Sequence, residues 1–351
     1  MMNDLERRCS GVQTYDLIAL LSDMRGGSGR EANVGKKAAE LLRPYAEDAL
    51  YRDGSVTGHI GKNPEKPTLL LCAHLDQVSF QVTDITDEGF LRIGCVGGID
   101  RRLLLGQAVT VCGAEMLPGV ISILPPHLLK GEQAVPEDSM LCVDLGFSSA
   151  EQLHGKVSRG DAVYYETTCK KLQNDAMTGS ALDDRCGAAA VLLAAEQLAK
   201  EPELPCNVTV YFSGQEERSG RGAKLAALNE KPDYAIAVDV TFGMAHGESP
   251  SECMTPGKGP AIGISPVLSR EMSDRLIETA KRADIPYQIE VMNGKTGTDA
   301  DSLALAPGGC EAATVSVPLR YMHTPVEVIA VSDIEKTAHL LIEYAKECGR
   351  E

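Results

Sequence analysis

Histidine and acidic residues stand where several apolar segments of this sequence end or where a predicted helix begins. The residues are His74, Asp76, Asp183, Glu216, Glu217, Asp239 and His323. Imidazole and carboxylate groups are both good ligands for zinc-like divalent ions. Several carboxylates gathered in one place cannot all keep their charge, and a pair of divalent ions resolves that conflict. Two ions about 3.5–4 Å apart activate a water and steady the oxygen of an attacked carbonyl, so the sequence predicts a two-metal hydrolase.

Each of these residues also has a purely structural interpretation when taken alone. An Asp before an Ala-rich helix commonly caps it, a pair of Glu residues is usually solvated, and a single His is commonly a packed core residue. Their joint occurrence at five element ends favours a shared site.

The elements that would bring these residues together alternate between strands and helices. Predicted strands are Thr68–Ala73, Asn207–Ser213, Tyr234–Val240 and Ala312–Val317; predicted helices are Tyr15–Leu21, Val34–Tyr45, Gly187–Lys200, Ser273–Ala283 and Val331–Glu347. This alternation indicates an α/β fold with a mixed, largely parallel sheet flanked by helices. Ligands bind at the carboxyl ends of such strands, which is where the candidate residues fall.

A segment with a different sequence pattern lies between the first predicted strand and the rest of the α/β pattern. Short β-like runs, punctuated by Gly and Pro, are Phe90–Ile93, Ala108–Cys112, Val120–Leu124, Met140–Leu145 and Ala162–Tyr165. They predict an inserted all-β domain, a barrel or a sandwich, over residues 78–165. The catalytic α/β domain would then be discontinuous and comprise residues 1–77 and 166–351.

Composition narrows the class of protein. The chain has 351 residues, which predicts about two domains, and its net charge is −16 with no Trp, which opposes binding of nucleic acid. No apolar run is long enough to span a membrane, and the charged N-terminus does not resemble a signal peptide. Its eleven Cys are scattered singly, which favours reduced thiols and a cytoplasmic location.

With these motifs in their order, the chain resembles the M42 metallo-aminopeptidases, a family that includes the TET and glutamyl aminopeptidases. The matching segments are AHLD at 73–76, ALDDR at 181–185, QEE with RGA at 215–223, AVDVTF at 237–242, GKGP at 257–260, GTDA at 297–300 and PLRYMHTPVE at 318–327. The resemblance runs from about residue 12 to the C-terminus and implies a zinc-peptidase-like fold and hydrolysis of the N-terminal peptide bond of short peptides.

The resemblance also implies a ligand set. One ion would be bound by His74, Asp183 and Asp239, and the other by Asp183, Glu217 and His323, with Asp183 as the bridge. His and carboxylate ligands suit zinc, cobalt and manganese alike, so the metal itself stays open.

Further roles follow from the same resemblance. Glu216 would be the general base that takes a proton from the water between the ions, and Asp76 would hydrogen-bond to His74 and orient it. The bond between Asp183 and Asp184 would be a cis peptide. The inserted β domain matches the family's dimerisation domain, which implies a homo-oligomer, including a dodecamer built from dimers.

The sequence departs from the family pattern at Gln77, Ser79, Arg218, Ser219 and Asp301. None of these is a predicted ligand or the predicted base, but all lie near the active-site edge, where they bear on substrate preference. Asp301 either favours a basic group or is a solvated loop carboxylate.

Two other functions remain as alternatives. Some relatives have been described as cellulases, and paired carboxylates can cleave a glycosidic bond. The absence of Trp leaves little surface for sugar stacking, and a glycosidase does not need the two His. The second alternative is an assembly protein with a catalytically weakened site.

Overall fold

A computed structural model of the protein describes residues 11–122, 141–307 and 309–349. The first ten residues, which carry the expectation about a signal peptide, lie outside the described residues. So do 123–140, which contain the end of one predicted strand at Leu124 and the start of another at Met140. Among the described helices, none combines the length and the apolar character that a membrane crossing requires.

The elements are numbered in chain order. The strands are β1 (Leu50–Arg52), β2 (Ser55–Ile60), β3 (Thr68–His74), β4 (Ser79–Ile85), β5 (Leu91–Val96), β6 (Ala108–Cys112), β7 (Met116–Ser122), β8 (Cys142–Asp144), β9 (Ala162–Tyr165), β10 (Lys170–Lys171), β11 (Ala176–Gly179), β12 (Asn207–Ser213), β13 (Tyr234–Phe242), β14 (Ala261–Ile264), β15 (Gln288–Val291), β16 (Glu311–Arg320) and β17 (Glu327–Ala330). The helices are α1 (Gly11–Ser22), α2 (Ala32–Leu42), α3 (Ala150–Leu153), α4 (Leu182–Leu198), α5 (Glu216–Ser219), α6 (Arg221–Glu230), α7 (Arg270–Arg282), α8 (Asp299–Leu305) and α9 (Val331–Ala345).

Eleven of the described strands form one mixed sheet, with β1-β2-β12-β3-β13-β16-β17-β11-β10 as its main path and β14 and β15 attached at β16. The four central strands, β12, β3, β13 and β16, run parallel, and the strands on both sides of them are antiparallel. The carboxyl ends of the four central strands therefore meet at one edge. The predicted fold class, a mixed sheet flanked by helices with a small all-β unit, is confirmed.

Strand β3 shows why the central strands are apolar throughout. Its odd-numbered residues, Leu69 and Leu71, pack in one core with the Ala-rich helix α4. Its even-numbered residues, Leu70 and Cys72, pack in a second core with α6 and α8. A strand covered by helices on both faces has no solvated face, so a continuous apolar run suits it. The small side chains of α4 are buried on all sides between the sheet and helices α1 and α9.

The inserted segment forms a closed barrel of strands β4-β5-β8-β7-β6-β9. Its core is separate from that of the sheet and includes Phe80, whose ring packs edge-on against Tyr165 with centroids 5.2 Å apart. The structure thus selects the barrel over the sandwich. The domain limits at residues 77, 78, 165 and 166 stay a prediction, as does the dimerisation role.

Most predicted elements are present with shifted ends. The strands Ala108–Cys112, Ala162–Tyr165 and Asn207–Ser213 have the predicted bounds. The helix predicted over Val34–Tyr45 ends at Leu42, and the strand predicted from Val120 begins earlier, at Met116. Short elements such as β14, β15, β17 and α5 were not predicted, because three or four residues carry too little periodicity to stand out.

Candidate metal centre

The predicted ligands meet at the carboxyl edge of the four parallel strands. His74 is the last residue of β3, Asp239 lies in the second half of β13, and Glu217 is in the one-turn helix that follows β12. Asp183 enters from the start of α4, and His323 lies in the turn between β16 and β17. These five residues come from five separate segments of the chain, as the positions of the apolar runs predicted.

Three residues beside or within this edge have a left-handed backbone. Ala181 has φ 60°, Gln215 has φ 62° and His323 itself has φ 62°. Such conformations are unfavourable for residues other than Gly and concentrate where the fold must aim a functional group. Ala181 lies two residues before Asp183, and Gln215 directly precedes Glu216. His323 is itself one of the predicted ligands.

Asp183 lies between the two imidazoles. Its Oδ1 is 3.0 Å from Nε2 of His74, and its Oδ2 is 3.3 Å from Nε2 of His323. Asp239 approaches the first imidazole, with Oδ1 4.0 Å from its Nε2, and Glu217 approaches the second, with Oε1 at 3.3 Å. One carboxylate thus presents a different oxygen to each half of the site, as a bridging ligand does.

The same residues form two groups whose ligand atoms all lie within 4.8 Å of one another. The groups are His74, Asp183 and Asp239, and Asp183, Glu217 and His323. In the second group, Oε1 of Glu217 is buried and makes no hydrogen bond. A buried carboxylate oxygen that lacks a hydrogen bond is costly, and a cation at this place would satisfy it. The donor set, two imidazoles with carboxylates, fits zinc-like ions.

Burial and mutual charge displace the pKa values of the site strongly. Burial raises the pKa of Asp239, and the neighbouring Asp184 raises it further. Burial alone would raise the pKa of Asp183, but hydrogen bonds with His323 and His74 lower it below its usual range. Burial would likewise lower the pKa of His323, yet Asp183 and Glu217 raise it to about 11. Without cations the site therefore retains protons, which divalent ions would displace on binding.

Glu216 lines the cavity that the five predicted ligands also line, but it belongs to neither of the two ligand groups. Burial raises its pKa to about 10; His74 opposes this shift and Asp239 adds to it. Positive charge between these carboxylates acts in the opposite direction and favours the ionised form of Glu216. A base of adjustable pKa beside two ligand groups is suited to accept a proton from water.

The carboxylate of Asp76 makes contacts other than those implied by the family resemblance. The ring Nδ1 of His74 lies 3.0 Å from the main-chain oxygen of Asp76, whereas the Asp76 Oδ1 is 3.7 Å away. The carboxylate instead accepts hydrogen bonds from the main-chain N–H groups of Glu216 (2.9 Å) and Glu217 (3.2 Å). Asp76 therefore orients His74 through its backbone and the Glu pair through its side chain.

Glu327 was not singled out by sequence reasoning, although it closes the motif PLRYMHTPVE. It is 1% exposed, and its two oxygens accept hydrogen bonds from the main-chain N–H groups of Asp183 (3.2 Å) and His323 (2.9 Å). It thus ties together the backbones of two proposed ligands. A Glu at the first position of the short strand β17 has no signal of its own in the sequence, because its role depends on contacts with other segments of the chain.

Arg185 and the peptide bond between Asp183 and Asp184 complete the support of Asp183. The Asp183–Asp184 peptide bond is cis, which confirms the expectation drawn from the family. The guanidinium of Arg185 is fully buried and donates to the main-chain oxygens of Leu75 and Leu21, both at 2.6 Å. The segment after His74 and the start of α4 are thereby joined.

Two of the positions that depart from the family pattern, Asp301 and Gln77, make local hydrogen bonds. Asp301 accepts hydrogen bonds from the main-chain N–H groups of Thr296 (2.9 Å) and Gly297 (3.1 Å), which line the cavity. Gln77 pairs with the main chain of Gly26 through both its N–H and its side-chain oxygen. Ser79 is buried, whereas Arg218 and Ser219 are exposed. Asp301 thus holds the wall of the cavity, and its effect on substrate preference stays a prediction.

The cavity itself has a volume of about 370 Å³. Besides the groups described above it is lined by Gly98, Val240, Thr241, Phe242, Glu290, Thr296, Gly297, Thr298 and Met322. This volume is that of a small-molecule site. It is large enough for an amino-acid side chain beside the two candidate ligand groups.

Comparison with known proteins gives a consistent result along the chain. The family model for M42 glutamyl aminopeptidases matches residues 54–340. The lysyl aminopeptidase of Pyrococcus furiosus is 29% identical over 336 residues, which cover 93% of this chain and 95% of that relative. The glutamyl aminopeptidase of Lactococcus lactis is 28% identical over 346 residues, which cover 92% and 93% of the two chains.

Solved structures agree in fold. An aminopeptidase from the archaeon Desulfurococcus kamchatkensis matches with a TM-score of 0.90, 32% identity and 96% coverage of both chains. The Pyrococcus horikoshii TET1 peptidase, described as assembling into a tetrahedron or a large octahedral shell, matches with a TM-score of 0.84 and 30% identity. That match covers 96% of this chain and all of the other. A Thermotoga maritima protein named endoglucanase matches with a TM-score of 0.76 and 28% identity, over 94% and 96% of the two chains.

Proposed function

The chain belongs to the M42 glutamyl aminopeptidase family, and from this premise we propose that it removes N-terminal residues from short peptides with two divalent ions. It is an aminopeptidase and therefore a hydrolase. The observation that carries the two-ion proposal is Asp183, whose two carboxylate oxygens face His74 and His323 separately.

In this proposal His74, Asp183 and Asp239 hold one ion, and Asp183, Glu217 and His323 hold the other. The ions are zinc, cobalt or manganese, which this ligand set suits alike. Bound there, the ions would supply positive charge that polarises the scissile carbonyl and lowers the pKa of water.

Glu216 would handle the proton. Its carboxylate takes a proton from the attacking water while the water oxygen bonds to the carbonyl carbon. As the C–N bond breaks, the same proton passes to the departing nitrogen, which leaves as an amine. Asp76 holds the main chain of Glu216 in place through the 2.9 Å hydrogen bond, so the base stays fixed beside the ligand groups.

The experiment that tests this proposal is a panel of aminoacyl chromogenic substrates, assayed after removal of metal by a chelator and again after addition of zinc, cobalt or manganese. We expect hydrolysis that is lost with the chelator and restored by at least one ion. Hydrolysis that persists in the metal-free protein would contradict the two-ion proposal. No hydrolysis with any ion, together with no bound metal, would favour an assembly protein with a weakened site.

Glycoside hydrolysis is a second candidate only because of the name of the Thermotoga maritima protein. The residues speak against it: the carboxylates Asp183 and Glu217 lie within 3.3 Å of an imidazole nitrogen, and a glycosidase has no need of these His residues. Release of reducing sugar from a cellulose-like polymer, unaffected by a chelator, would reverse this preference.

We also propose that the protein is cytoplasmic and forms a homo-oligomer, of which a dodecamer built from dimers is one form. No disulfide joins the cysteines of the described residues, which suits a reducing compartment. The barrel exposes large apolar side chains at Leu103, Leu105, Met116 and Val120, which suits a contact between copies. Light scattering on the purified protein tests this assembly, and a monomer at micromolar concentration would contradict it.

A further inference from the structure

A loop of the inserted barrel reaches the proposed metal centre. The loop follows β5, and its Gly98 lines the cavity together with His323 and Glu217. A Cβ atom built on the neighbouring Gly97 would lie 3.4 Å from Oε2 of Glu217. The barrel therefore touches both side chains that belong only to the second ligand group.

The contact with His323 is a hydrogen bond. The main-chain oxygen of Gly98 lies 2.6 Å from Nδ1 of the His323 ring. A carbonyl oxygen only accepts, so Nδ1 must carry the hydrogen and donate it. When the imidazole is neutral, this leaves the lone pair on Nε2, the atom that faces Asp183 and Glu217.

The two imidazoles of the site are held from different parts of the fold. Nδ1 of His74 is hydrogen-bonded by the main chain of Asp76, only two residues further along the chain. Nδ1 of His323 is held across 225 positions of sequence by the barrel. The first ligand group can therefore form without the barrel loop, whereas the second cannot have its imidazole oriented in this way.

We propose that the inserted barrel is a structural part of one half of the metal centre, in which the main-chain carbonyl of Gly98 positions His323 as a ligand. This inference rests on the proposed function, because it assumes that an ion binds Nε2 of His323. Partners that orient a ligating imidazole typically change metal affinity by about 10–100-fold when they are lost.

The absence of a side chain at position 98 is what permits the contact. A Cβ atom at Gly98 would lie 3.3 Å from Nδ1 and 3.6 Å from Cε1 of His323. The first distance is shorter than usual, and the added methyl group would be an apolar neighbour of Nδ1. Gly98 is not among the glycines with positive φ, so its backbone accepts an Ala without strain, whereas Gly97 has φ 100° and does not. Gly98→Ala is therefore the variant that tests the contact itself.

The experiment is calorimetric titration of zinc into the full-length protein after chelator treatment, which requires no peptidase activity. For the parent protein we expect two binding events per chain. For Gly98→Ala we expect one event to weaken by about 10–100-fold and the other to change less than about twofold. His323→Ala identifies the affected event, because it should abolish the same one.

Gly94→Ala is the matched control, since it adds a methyl group in β5, the strand that leads into the loop of Gly98, but against the Thr83 side chain. It should bind both ions like the parent. Unchanged affinities in Gly98→Ala, or equal weakening of both events, would overturn this inference while leaving the two-ion proposal intact. A parent that takes up fewer than two ions would overturn both.

Discussion

Asp76 Oδ1 accepts a hydrogen bond of 2.9 Å from the main-chain N–H of Glu216, so the carboxylate caps the one-turn helix that carries the proposed base. Its Oδ2 does the same for Glu217 and also contacts the hydroxyl of Ser28. A fully buried carboxylate at this place fixes where the Glu pair begins. The position of the base relative to the ligands is thus set from β3, the neighbouring strand.

Replacing Asp76 should therefore impair turnover more than metal binding. In Asp76→Ala the N–H groups of Glu216 and Glu217 lose their acceptor, and a displaced base costs rate; we expect kcat to fall about 10–100-fold. Steady-state kinetics and metal content measured together check this. Ser28→Ala is the control, because it keeps both main-chain bonds and should retain most activity. A kcat close to the parent's in Asp76→Ala would contradict the positioning role.

Glu216→Gln should separate metal binding from proton transfer. The amide keeps the size of the side chain but cannot take a proton, so we expect both ions to remain and kcat to fall by about 10²–10⁴-fold. The measurements are metal content and turnover of an aminoacyl substrate. Glu217→Gln provides the contrast, since loss of a proposed ligand should weaken one ion. Near-normal turnover by Glu216→Gln would remove Glu216 from the role of base.

Glu290 should favour substrates with a basic N-terminal residue. Among the described residues that line the cavity it is the one titratable side chain outside the proposed ligands and base, and Thr241 donates to it at 2.5 Å. Burial raises the pKa of Glu290, because the ionised carboxylate is disfavoured away from water. A cationic side chain beside it would stabilise that ionised form. The apolar stem of such a side chain would pack along Phe242 and Met322.

We therefore expect a higher kcat/KM for lysyl than for glutamyl chromogenic substrates, and a ratio that drops about tenfold in Glu290→Gln, which corresponds to ~1.4 kcal/mol. Glu278→Gln removes the same charge from an exposed site outside this cavity and should leave the ratio unchanged. A preference for glutamyl substrates in the parent would refute this assignment.

His59 should make stability depend on pH. Its Nε2 is 2.8 Å from Glu230 and its Nδ1 is 2.9 Å from Asp48, which Lys62 also contacts. The bond to Glu230 raises the pKa of His59, burial opposes the shift, and the bond to Asp48 adds to it. A raised pKa means that the stabilisation is complete below the ordinary value of about 6.5 and is lost as the pH rises through the folded value.

His59→Gln should accordingly lower the Tm more at pH 6 than at pH 9, with thermal unfolding followed by circular dichroism at both pH values. Asp48, the carboxylate partner of His59, affects the stability at acidic pH instead. The pKa of Asp48 is lowered to about 2, since Lys62 and His59 outweigh its burial, so its contribution is lost only as the pH falls toward that value. An equal loss of Tm at pH 6 and pH 9 would argue against a charged His59.

The edge that carries the proposed ligands could be predicted because it follows from strand order and direction. His74, Asp239 and the Glu pair each stand where an apolar run ends, and parallel strands deliver their ends to one edge. The sequence could not predict the role of Glu327 or of Gly98. The Glu327 carboxylate accepts from the main chain of Asp183, and the main-chain oxygen of Gly98 accepts from the side chain of His323. Both contacts join residues distant in sequence and leave no periodic pattern.

Asp76 and Asp301 show a second limit. The sequence marks both carboxylates as chemically interesting, yet each accepts hydrogen bonds from main-chain N–H groups, Asp76 from the one-turn helix α5 and Asp301 from the segment before α8. Residue type indicates that a group can accept a hydrogen bond or bind an ion, but only the fold decides which donor it meets.

The order of the central strands along the chain has a consequence for the protein during its synthesis. His74 leaves the ribosome first, whereas His323 follows β16, the last of the four parallel strands to be made. At about 5–20 residues per second, the growing chain spends tens of seconds with an incomplete set of the proposed ligands. Under the two-ion proposal, the nascent chain therefore has no complete metal centre until His323 has been made.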